Sequence, residues 1–178
     1  MIAFPTETFY GLGADALNPV AVEKVFEMKQ RNRTNPILVL VNSLTQIPDL
    51  VQTIPSQAWS LMNRFWPGPL TLVFTASAKV SSLLTAGTGR IGIRIPGDPL
   101  IRQLLDMTAA PITATSANPA GERSPTTAQQ VLQTLGAKLA LILDAGPTPG
   151  GLPSTVVDVT TLPITIIRKG QIPEALLK

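Results

Sequence analysis

A chain of 178 residues, 44% of them apolar, is long enough for one domain with a real core and is not a disordered segment. It contains no Cys and no His, which excludes thiol nucleophiles, disulfides, Ser-His or Cys-His dyads and zinc sites of the usual kinds. The 14 Lys and Arg against 11 Asp and Glu leave a net +3, which suits a small phosphorylated ligand better than a duplex, whose binders neutralise about 6–10 phosphates.

Chemistry must then run on hydroxyls, carboxylates, Lys, Arg and backbone amides, by positioning and electrostatics as in phosphoryl and nucleotidyl transfer. No apolar run approaches the roughly 18 residues that span a bilayer, and no leader pattern opens the chain. The expected location is cytoplasmic, with no membrane partner.

Met1-Ile-Ala-Phe4 reads as the tail of a strand. Residues 5–13, Pro-Thr-Glu-Thr-Phe-Tyr-Gly-Leu-Gly, read as a polar turn closed by two glycines and match no phosphate-cradling or dinucleotide fingerprint. Asn18 caps a helix running from Val20 to about Gln30. Lys29, Arg31 and Arg33 follow at its end. Cations there complement the helix terminus by a few tenths to about 1 kcal/mol. Three of them beside an apolar strand over 37–41 exceed what a cap needs, and predict an anion site.

Short helices are expected within 43–54 and over 56–64, then a rigid Phe65-Trp-Pro-Gly-Pro69 turn with an aromatic plug and a strand over 70–74. A Gly/Thr/Ser segment spans 81–89. Residues 90–96 alternate as a strand does, placing Arg90 and Arg94 on one face, with Gly92 between them leaving room for a ligand. After a helix over 100–107, residues 111–115 form a strand that breaks at Ser116-Ala-Asn118. A polar loop then leads through Ser124-Pro-Thr126 into a helix over 128–135. Loops of that kind aim N–H groups and hydroxyls at one spot, and helix N-termini favour anions. A well-capped surface turn uses the same residues.

Residues 139–143 read as a buried strand, and 144–151 as a loop rich in Gly and Pro. Residues 154–159 alternate, with a hydroxyl pair at the loop mouth, and 164–170 form a last strand ending in Arg168, Lys169 and Gly170. Strands and helices interleave throughout. The class is α/β, one domain over 1–178.

Seven motifs, in order over essentially the whole chain, resemble the YrdC/Sua5 family, the threonylcarbamoyl-AMP synthases that begin the t6A modification of tRNA. They are Pro5-Thr-Glu-Thr8-Phe-Tyr-Gly-Leu-Gly13, Lys29-Gln-Arg31, Pro67-Gly-Pro69-Leu-Thr71, Arg94-Ile-Pro96, Thr115-Ser-Ala-Asn118, Ser154-Thr-Val-Val-Asp158 and Arg168-Lys-Gly170.

The resemblance implies a twisted mixed β-sheet with flanking helices around a basic cleft. It implies L-threonine, bicarbonate and ATP as substrates, Mg²⁺ carried with ATP, no resident metal, and pyrophosphate as the second product. A downstream threonylcarbamoyl transferase complex and tRNA would be indirect partners. On the residues, it implies catalytic roles for Lys29, Arg31, Ser116 and Asn118. ATP would be held by Arg31, Asn35, the Arg90 backbone, Ser116, Ser124 and Arg168, and threonine by Thr8, Arg94, the backbone near Ala114, and Ser154.

Three departures accompany the resemblance. Leu40 stands where some members carry a His, and the family's opening helix and most of its first strand are not expected before Pro5. The extra C-terminal domain of the longer forms is not expected either. Charge neutralisation is what a carbamate attacking ATP needs, so the His-free inventory agrees with this chemistry. Two readings compete: a non-catalytic module of the same fold for double-stranded RNA or ribosome maturation, and a carbamoyl-transfer domain acting on carbamoyl-adenylate. Two Trp and one Tyr are few for stacking on unpaired bases.

Overall fold

The computed structural model describes residues 1–177. Its strands are β1 (Ile2–Phe4), β2 (Gly11–Gly13), β3 (Leu38–Leu40), β4 (Leu70–Thr75), β5 (Arg90–Arg94), β6 (Ile112–Ser116), β7 (Leu141–Ile142), β8 (Thr155–Asp158) and β9 (Thr165–Arg168). The helices are α1 (Pro19–Lys29), α2 (Ile47–Leu50), α3 (Ser56–Phe65), α4 (Pro99–Thr108) and α5 (Ala128–Leu135). Three helices start where the sequence supplies a cap. Asn18 Oδ1 accepts from the N–H of Val20 and Ala21, and Asp98 Oδ1 from Leu100 and Ile101. Thr127 and Gln130 cap α5 reciprocally. Among the described residues, no helix is long and apolar enough to cross a membrane.

The strands make one mixed sheet in the order β7-β1-β2-β6-β3-β5-β4-β8-β9. The β1–β7, β3–β5 and β4–β8 pairs are parallel and the others antiparallel. Alternation along the strands divides its residues between two faces. One face carries Ala3, Leu12, Val39, Leu72, Ile93 and Val157 into the main core, which α1, α3 and α5 close with Val22, Val25, Leu61, Met62, Val131 and Leu135. On the other face only a small cluster forms, in which Phe4, Leu40 and Ile112 meet Ile101 and Leu105 of α4. The pairing of Leu40 with both Arg94 and Ile112, and of Leu38 with Ala114, puts all of these on that second face. Since α4 covers only part of it, the remaining polar residues border an open cavity.

Three expectations are corrected. The glycines at 11 and 13 do not close a turn but form β2, inside the sheet. A Cβ on Gly13 would lie 2.5 Å from Ile112 Cγ2 and 2.7 Å from Phe4 Cε1, so only glycine lets the strand pass there. Residues 139–143 are not a buried strand: β7 has two residues, and Leu141 is half exposed because it lies at the sheet edge, alongside β1 alone. Residues 155–158 do not alternate in burial, because β8 has core on one side and a polar network on the other. Leu40 is buried in the α4 cluster and does not line the cavity.

Candidate functional site

A cavity of about 480 Å³ opens on the half-covered face. Thr6 and Thr8 reach it from the β1–β2 loop, Arg31 from just beyond α1, Leu38 from β3, Arg94 from β5, and Ala114, Thr115 and Ser116 from β6. Ser124, Gly151, Pro153, Ser154 and Arg168 complete the lining. The loop ahead of β8 is strapped over it: Tyr10 Oη donates to Gly146 O at 2.8 Å, and Gly150 N to Thr8 O at 2.7 Å.

Of the three cations at and just beyond the end of α1, only Arg31 lines this cavity. Its Nε donates to Asn35 O at 3.1 Å and its Nη2 to Pro36 O at 2.9 Å, and burial lowers its pKa. Asn35 thus supplies a carbonyl behind Arg31 and is not itself a lining residue. Arg33 pairs instead with Glu23. Lys29 is wholly buried, its Nζ donating to the carbonyl oxygens of Ser116 and, at 2.6 Å, of Asn118. Burial, and next the charge of Arg31, lower its pKa to about 8. Lys29 therefore grips the 116–118 loop from below.

Arg94 lies at the end of β5, its Nε donating to Gly68 O at 2.8 Å and its Nη2 2.7 Å from Glu7 Oε2. Burial alone would raise the Glu7 pKa. The charge of Arg94 and the N–H groups of Glu7 and Gly97 outweigh it, so the net shift is downward and the carboxylate is ionised. The room expected beside Gly92 is not a ligand's: a Cβ there would lie 2.5 Å from Leu38 Cδ2, so Leu38 fills the gap between the two arginines. Arg90 stays outside the cavity, its Nη1 2.5 Å from Asp158 Oδ2.

Arg168 donates from Nε and Nη2 to Ser154 O, at 3.1 and 2.9 Å, and from Nη2 to Ser154 Oγ at 2.9 Å. Ser154 Oγ also lies 2.9 Å from Thr71 Oγ1. Burial, followed by the charge of Arg94, lowers the Arg168 pKa. Asn118 faces a smaller neighbouring cavity of about 170 Å³, which shares Ser124 with the larger one. Its Nδ2 donates to Pro119 O and Glu122 O. The start of α5 offers less to an anion than its sequence suggests, since Gln130 and Thr127 already occupy the N–H groups of residues 126, 127 and 130.

Thr8, Arg31, Arg94, Ala114, Ser116, Ser124, Ser154 and Arg168 are therefore brought together, while Lys29, Asn35, Arg90 and Asn118 stand behind or beside them. Sequence reasoning passed over Glu7 and Thr71 as individuals. Each lies inside a quoted motif, and an acid between two threonines was the available signal. Chemically, three guanidiniums from distant segments converge with hydroxyl donors on one space. That arrangement favours a ligand with several negative groups.

Comparison with known proteins agrees with the fold. The Sua5/YciO/YrdC family model, described as "Telomere recombination", matches residues 1–170. Threonylcarbamoyl-AMP synthase of Pyrococcus abyssi is 42% identical over 173 residues, which cover 97% of this chain and 51% of that protein. The synthase of Bacillus subtilis is 42% identical over 173 residues, 97% and 50% of the two chains. The chain thus spans about half the length of these curated relatives. The crystal structure of P. abyssi Sua5 complexed with L-threonine matches with a TM-score of 0.95 and 41% identity, over 99% of this chain and 52% of that one. Escherichia coli YciO matches with a TM-score of 0.85 at 24% identity, over 97% and 84% of the two chains, a likeness of fold alone.

Proposed function

The chain belongs to the Sua5/YciO/YrdC family, and on that premise we propose that it makes threonylcarbamoyl-AMP and pyrophosphate from L-threonine, bicarbonate and ATP. The observation that carries this reading is the convergence of Arg31, Arg94 and Arg168 with hydroxyl donors on one cavity. Threonine's amine adds to CO₂ from bicarbonate and loses a proton, giving a carbamate. A carbamate oxygen then attacks the α-phosphorus, the bond to the bridging oxygen breaks, and pyrophosphate leaves with that electron pair. An anion approaches a polyanion, so the protein's task is to hold both and neutralise charge. Mg²⁺ would arrive with the phosphates of ATP.

In this reading Arg31 and Arg168 face the phosphates, with Ser116 and Ser124 as hydroxyl donors. Arg94 takes the amino acid's carboxylate, while Thr8, Ser154 and the backbone near Ala114 take the rest of threonine. Lys29 and Asn118 act through the loop they shape, and Asn35 through Arg31. The Arg90 backbone would stand at the margin of the nucleotide. The product suits transfer to tRNA by a separate threonylcarbamoyl transferase complex in the cytoplasm.

Incubation with ATP, bicarbonate and threonine should release pyrophosphate in proportion to threonine supplied. Serine keeps the hydroxyl and loses a methyl, worth roughly 1–3 kcal/mol in a close-fitting pocket, whereas valine leaves buried hydroxyl partners unpaired. Threonine should therefore rank first, serine weakly second and valine at background. Equal turnover with valine removes the assignment of threonine to this pocket, and no amino-acid-dependent pyrophosphate release at all brings the RNA-binding reading forward.

A further inference from the structure

Glu7 stands between Thr6 and Thr8, both lining residues, and is not one itself. Its Oε1 accepts from the N–H of Gly97 at 2.8 Å and of Asp98 at 3.1 Å, which ties the β1–β2 loop to the start of α4. Its Oε2 lies 2.7 Å from Arg94 Nη2. Both of these atoms are buried, and neither has an aligned hydrogen-bond partner among the described residues. The contact is an ion pair with hydrogen-bonding capacity still unfilled. Meanwhile Gly68 O holds Arg94 Nε on another side, and a Cβ at Gly97 would lie 3.5 Å from both Glu7 Oε1 and Gly68 Cα. Arg94 is held by one backbone carbonyl and one carboxylate, and the Gly97 backbone packs against both of their residues.

The two oxygens have separable tasks. Bracing the amides of Gly97 and Asp98 needs an acceptor, which a neutral amide supplies. Facing a buried guanidinium needs charge. We propose that Glu7 is the positioning residue that holds Arg94 ready for the carboxylate of the amino-acid substrate, and so sets the affinity for threonine. This rests on the assignment of threonine to the cavity made above. The substrate carboxylate does not change as its amine reacts, so the contact is equally strong in ground and transition states and shows in KM rather than kcat.

The test measures pyrophosphate release by wild type, Glu7→Gln, Arg94→Ala and the double variant, with thermal melting as a check on folding. Glu7→Gln retains an acceptor for the two amides and removes the charge. Its threonine KM should rise about tenfold or more, with kcat and the KM for ATP each within about twofold of wild type. In the Arg94→Ala background it should add nothing, since a residue that acts through Arg94 has no route left. An unchanged threonine KM, a parallel loss of ATP affinity and kcat, or full additivity with Arg94→Ala each overturn the proposal. Should Glu7→Gln fail to melt cooperatively, Glu7→Asp serves instead. It keeps the charge but is too short to serve both partners, so its threonine KM rises several-fold if the proposal holds and stays at wild type if not. Wild type lacking any threonine dependence removes the functional assignment itself, and this inference with it.

Discussion

Lys29 shows how much one buried amine can set. Its two carbonyl acceptors suit either protonation state, because a neutral amine still has two N–H groups. Burial decides, and lowers the pKa from 10.5 to about 8. Between those values the unfolded chain holds a proton that the folded chain has released, so stability rises with pH across that window. Below about pH 8 both forms are protonated and the folded state bears the whole penalty. A difference of about 2.5 units corresponds to roughly 3 kcal/mol. Urea unfolding of wild type and Lys29→Met at pH 7.5 and 10 should therefore show wild type gaining on the variant at the higher pH. Parallel behaviour means an ordinary amine. Arg31→Ala removes a cation that touches the proposed phosphates, and hydrogen bonds to charged groups are worth roughly 1.5–3 kcal/mol. ATP affinity by calorimetry should fall by about one to two decades. An unaltered value leaves Arg31 as the clasp for Asn35 and Pro36 alone.

At the scale of elements, the caps and the strand alternation were legible because both are local. Asn18 and Thr127 cap their own helices, and Arg94 shares a face with Leu38 and Ala114 through period-two geometry. What could not be read depends on distant partners. Glu7 gains its meaning from Arg94 and Gly97, and Gly92 from Leu38, none of them nearby in sequence. The β2 strand was misread for the same reason, since two glycines in three residues signal a turn until Phe4 and Ile112 close around them. Gly13→Ala tests that account. Overpacking typically costs about 1–3 kcal/mol, and a chain of this size loses roughly 2–4 °C of melting temperature per kcal/mol. A fall of about 2–12 °C is expected, against little change if β2 has room to shift.

For the molecule as a whole, three guanidiniums facing one cavity, of which Arg94 is buried, Arg31 half-buried and Arg168 more exposed, concentrate positive charge that an anionic ligand relieves. ATP at about 100 times its Kd should stabilise the fold by about 2.7 kcal/mol, a melting shift of roughly 5–11 °C. Arg31→Ala and Arg168→Ala should lose most of that shift. Retention of the full shift in both would place the nucleotide elsewhere. The strand order carries a different consequence, for how the chain comes into being. Only β1–β2, β4–β5 and β8–β9 join strands that follow one another in sequence; β1 also waits for β7, β2 and β3 wait for β6, and β4 waits for β8. At roughly 5–20 residues per second a ribosome takes on the order of ten seconds to reach β9. Through much of that interval apolar strands stand open along at least one side. Pairings this remote in sequence also form slowly. During synthesis, the yield of soluble protein is thus governed by how long those strands wait for partners, and slower translation of the second half of the message should lower it.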